Sequence, residues 1–185
     1  QLAASRAEWE AATLAAEAGT LAWSVQRPLE ATSPLGTPLA IEEDNSIVPG
    51  GKNPPNDTYV VTIPAPLERI TALRVEVIQD PRFPGDEVSR GGAAFFISEI
   101  EVLGSAAAGV PRQPLRIVAS QAASRTEAGY PAEAVFDGDP GTALSFVRKV
   151  GGGVALQLAE AWRGGPEATL TVRIRHSENH PYQNL

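Results

Sequence analysis

The short run Asp137-Gly138-Asp139-Pro140-Gly141-Thr142 is where this sequence most plainly offers chemistry. The side-chain oxygens of Asp137, Asp139 and Thr142 lie close together on one turn. A Ca²⁺ ion takes about six to eight oxygen ligands, and a loop of this kind supplies several. The same residues also form a turn without metal, because Asp137 and Asp139 can accept hydrogen bonds from their own backbone. Both readings are open at this stage. A second acidic cluster, Glu42, Glu43 and Asp44 beside Asn45, reads as a solvated hairpin tip rather than a second cation site.

Sugar recognition is the other chemistry the residues could carry. Such sites pair an aromatic face, which stacks on the ring, with a few Arg, Asn or Asp groups for the hydroxyls. The loop-placed candidates are Arg82, Phe83, Arg90, Tyr130, Arg148, Trp162 and Tyr182. Trp162, in Ala161-Trp162-Arg163-Gly164-Gly165, is the first choice for an exposed platform and Tyr130 the second. The competing reading of Trp162 is a ring that caps one end of the fold. Catalysis has little to work with. A Ser–His–acid triad needs a histidine, and the two present, His176 and His180, both lie in the last ten residues. Cysteine is absent, which removes thiolate nucleophiles, thiolate metal sites and disulfides.

Something must hold these groups in place, and composition says what kind of scaffold it is. The chain has 185 residues, 43% hydrophobic and 20% charged, which fits a single domain with a substantial core. Net charge is −7, which repels a phosphate backbone and argues against nucleic acid as a partner. No apolar run is long enough to span a membrane. There is no Met, even at position 1, so the chain reads as an excised or processed piece of something longer.

Residues 1–19 read as an N-terminal helix. The segment is rich in Ala and Glu, and Gly19 stands where a left-handed cap belongs. Residues 20–185 read as a β module: 17 Gly and 16 Pro punctuate short β-like runs. Strands are expected at 21–25, 39–41, 46–48, 58–63, 70–78, 95–103, 115–119, 143–147, 154–158 and 170–176. Alternation is clear in two of them. Leu73, Val75 and Val77 oppose Arg74 and Glu76, and Leu170, Val172 and Ile174 oppose Thr171, Arg173 and Arg175. That is the pattern of a half-buried antiparallel sheet. Prolines are expected in loops only. The stretch 104–114, GSAAAGVPRQP, reads as an internal linker within one domain.

Two segments resemble the galactose-binding-like, or discoidin-like, jelly roll. In 134–146, AVFDGDPGTALSF, the residues Asp137, Gly138, Asp139 and Thr142 match that superfamily's signature, with Leu144 where Trp is usual. Residues 95–104, FFISEIEVLG, resemble the strand that ends many such domains, although here it precedes the loop. A wider likeness runs through Trp23 to Pro28, Glu43 to Ile47, Asp57 to Tyr59, Ile70 to Val77, Asp80-Pro81, Phe96 to Glu99 and 134–185. These segments resemble the central region of large planctomycete-type surface proteins that carry a cytochrome c-like domain. The resemblance implies an antiparallel β-sandwich of jelly-roll type and an extracytoplasmic location. It also implies a structural calcium at the Asp137–Thr142 loop, with Glu99 contributing from the neighbouring strand. The expected function is a non-catalytic module that binds glycan through Trp162, Tyr130, Arg148, Arg82 and Arg90. The alternative is a spacer or docking module that positions neighbouring redox domains of the parent chain.

Overall fold

The computed structural model describes residues 23–85, 88–92, 94–146 and 151–185. The expected helix at 1–19 lies outside the described residues. The rest is mostly β and entirely antiparallel in its pairing. In chain order the strands are β1 (Glu30–Thr32), β2 (Leu39–Ile41), β3 (Ile47–Pro49), β4 (Thr58–Pro64), β5 (Ile70–Val77), β6 (Ile97–Ser105), β7 (Gln113–Leu115), β8 (Ile117–Ala122), β9 (Gly152–Trp162) and β10 (Thr169–His176).

They form a five-stranded sheet, β1-β4-β10-β6-β7, a three-stranded sheet, β5-β9-β8, and a separate β2-β3 hairpin. Period-two alternation explains why the two larger sheets face each other. On β10, Leu170, Val172 and Ile174 are buried while Arg173 and Arg175 are exposed. On β5, Leu73 and Val77 are buried, Val75 is half-buried, and Arg74 and Glu76 are exposed. Antiparallel register carries the pattern across the sheet: Ile174 pairs with Tyr59 and with Ile100, and Val172 with Val61 and Val102. Apart from Val61, these inward residues join one cluster with Val154, Leu156 and Leu158 of β9. The core therefore contains side chains from both sides of the 104–114 stretch. That stretch is not extended: β6 pairs back onto β7, Val102 with Leu115 and Gly104 with Gln113, so 106–112 is the loop of a hairpin.

Several expected elements come out differently. Residues 23–25 are not in a strand, and Trp23 and Val25 are exposed. The run at 143–147 supplies only isolated bridges, Leu144 to Ile97 and Phe146 to Thr126. Phe96 leaves the main core for a small cluster with Ala94, Ala143 and Tyr130. Three prolines lie within strands after all. Pro49 and Pro64 end β3 and β4, and Pro114 sits in the edge strand β7, where a missing N–H is tolerated.

Candidate functional site

The β2-β3 hairpin stands apart from both sheets and leaves a groove between itself and the loop that follows β5. The groove has a volume of about 460 Å³, and its walls include Glu42, Asn53, Arg82, Phe83 and Arg90. Local chemistry builds each wall. At the hairpin tip, Asn45 takes a positive φ of 73° and the Asp44 carboxylate accepts from Ser46 N at 2.9 Å and Ser46 Oγ at 2.6 Å. Those bonds hold the Asp44 carboxyl below its usual range. The acidic cluster is thus a turn, with Glu42 at its base donating its own N–H to Ser46 O at 2.9 Å. Opposite it, Phe83 N donates to Asp80 O at 3.0 Å and closes the turn that presents Phe83, which is half-buried.

Arg82 bridges the two walls. Its Nε donates to the Asp80 oxygens at 2.9 and 3.1 Å, its Nη2 to Asp80 Oδ2 at 2.6 Å, and its Nη1 to Glu42 Oε1 at 3.0 Å. The guanidinium beside Asp80 holds that carboxyl below its usual range, and the two acids together raise the arginine's own pKa. Arg90 has a structural task instead: its Nη2 donates to Gly50 O at 2.6 Å and Gly51 O at 2.9 Å, which pins the end of the hairpin.

The other expected ligand residues are placed elsewhere. Trp162 is not a free platform. It is half-buried and packs against the core, with its indole directly over Gly104. The physical reason is register: Ile70 pairs with Trp162 but Ala72 with Gln157, so β9 carries extra residues here and its end bends over the sandwich. Tyr130 packs edge-on against Phe96 at 4.8 Å, and its hydroxyl meets His180 Nε2 at 3.1 Å. Arg148 lies outside the described residues. Among the described residues of the expected set, only Arg82 and Arg90 share one site, together with Phe83.

The Asp-Gly-Asp loop closes on itself. Asp137 Oδ1 accepts from Asp139 N at 2.8 Å and Asp137 Oδ2 from Thr142 Oγ1 at 2.8 Å, while Asp139 Oδ1 accepts from Gly141 N at 2.8 Å. Gly138 has a φ of 76°, which suits glycine. Glu99 lies close by: burial raises its pKa first and the charge of Asp137 second, while the Gly138 amide donates to it. Among the described residues, no three of His, Asp and Glu gather as a metal shell. The carboxylates face their own loop's donors, Asp139 N, Gly141 N and Thr142 Oγ1.

His180 is stacked on Phe96 with ring centroids 3.8 Å apart, and its Nδ1 meets Ser177 Oγ at 3.2 Å. That Ser–His contact does not make a nucleophile, because Ser177 is 1% exposed. A second hollow of about 300 Å³ lies on the outer face of the five-stranded sheet, lined by Glu99, Glu101, Arg173 and Arg175. It has no aromatic wall. The groove residues that sequence reasoning missed are Glu42 and Asn53. Glu42 meets Arg82 across 40 positions of chain, and no local spacing announces such a pairing. The chain matches no protein-family model, no curated protein and no solved structure.

Proposed function

We propose that this chain is a non-catalytic binding module, a β-sandwich of jelly-roll type from an extracytoplasmic multidomain protein, and that its ligand is a glycan held in the groove beside the β2-β3 hairpin. The observation that carries the reading is the groove's wall: the half-buried ring of Phe83 stands next to an arginine fixed by two carboxylates. An aromatic face with a few oriented polar groups is the usual way a protein reads a sugar ring. Binding by Trp162 and Tyr130 is no part of the proposal, since both rings are packed. The test is retention on immobilised polysaccharides, which Phe83→Ala abolishes.

One observation favours a second reading, a spacer that positions neighbouring redox domains. The two aromatic residues best placed by sequence to bind a ligand serve packing instead. On that reading, wild-type protein passes through every polysaccharide gel unretarded.

A further inference from the structure

We infer that the groove selects an uncharged sugar bearing neighbouring hydroxyls and rejects uronates and sulfated chains; this deepens the glycan reading above and rests on it. The argument is one of donors, acceptors and charge. A guanidinium has five N–H groups. In Arg82 three nitrogens already donate: Nε and Nη2 to Asp80, and Nη1 to Glu42. One N–H on each terminal nitrogen is left over. Glu42 uses Oε1 for Arg82 and leaves Oε2 as an acceptor. The groove therefore offers donors and a carboxylate acceptor side by side, each held by an ion pair.

A pair of neighbouring hydroxyls complements such a set, because each hydroxyl both donates and accepts. Phe83 supplies the apolar face for the ring. A carboxylate or sulfate is a poorer fit. It only accepts, and it meets Glu42 and Asp80 at the same place as Arg82. Asp80 and Glu42 flank Arg82, and the whole chain is −7. Like charge at close range disfavours an anionic ligand and slows its approach.

Glu42→Gln decides between the two classes by sign. For an uncharged glycan it weakens the acceptor and unpins Arg82, so retention falls by about tenfold, the loss of one charge-assisted hydrogen bond. For a polyanion it removes a repelling carboxylate, so retention rises. The experiment is affinity electrophoresis of wild type, Glu42→Gln and Phe83→Ala through gels of neutral β-glucan, mannan or galactan and through gels of polygalacturonate or alginate. Melting curves confirm that each variant is folded. The expected result is retention on a neutral gel, weakened by Glu42→Gln, lost with Phe83→Ala and insensitive to added salt. Retention on a polyuronate that Glu42→Gln strengthens overturns the inference and leaves the groove standing. Retention on no gel overturns the groove reading and the inference with it.

Discussion

Gly104 lies so close beneath the indole of Trp162 that a β-carbon there would meet ring atoms at 2.7–2.9 Å. The two residues are therefore one packing unit joining β6 to the end of β9. Gly104→Ala is expected to destabilise the protein by about 1–3 kcal/mol through overpacking. Trp162→Ala is expected to cost about 3 kcal/mol through the lost ring. In the double variant the alanine no longer clashes, so the combined loss falls short of the sum, and denaturant melts of the four proteins measure the difference. A free binding platform at Trp162 would instead leave stability nearly unchanged. The Asp-Gly-Asp loop makes a similar point. Its carboxylates are engaged by Asp139 N, Gly141 N and Thr142 Oγ1. Melting curves in calcium and in chelator are accordingly expected to coincide; a rise in Tm with calcium would reveal an ion bound only to the folded state.

The segment after β10 works as a clasp on the groove's far side. Phe96 N donates to Gln183 O, Ser89 Oγ and Arg90 N donate to Asn184 O, and Asn184 Nδ2 reaches Asn53 Oδ1 at 2.8 Å. His176 anchors the clasp. Its Nδ1 lies 3.0 Å from Asp57 O and its Nε2 accepts Leu185 N at 3.1 Å. Burial pushes the pKa of His176 down to about 4, so the folded state prefers it neutral. The unfolded state then binds more protons below about pH 6.5, and stability is lost as pH falls from there toward 4. The loss is on the order of 3 kcal/mol. Urea melts across that range should show the slope for wild type and a flatter one for His176→Asn. The sequence placed His176 correctly at a strand end but gave no sign of the clasp, because its bonds span up to 131 positions. Strands were legible where alternation runs for several residues, as in β5 and β10. They were illegible in β1, whose three residues Glu-Ala-Thr carry no periodicity, and they were overread at 143–147, where buried hydrophobics sit in loop and bridge.

At the scale of the molecule, one core fills the space between two antiparallel sheets, and the β2-β3 hairpin is left over as one wall of the groove. Hydrophobic alternation and Gly/Pro punctuation made the β class readable, since the longer strands announce their buried face. The groove was only half readable. Arg82 and Phe83 stand together in one loop, while Glu42 joins them solely through the tertiary fold. The aromatic residues with the most exposed-looking contexts, Trp162 and Tyr130, are instead packed against neighbouring side chains. Retention of wild type and Phe83→Ala on a panel of immobilised neutral polysaccharides tests the account most directly. The account predicts that at least one gel retards the wild type and that Phe83→Ala runs freely on it with an unchanged melting curve. Equal retardation of the two proteins, or none of either, would contradict it.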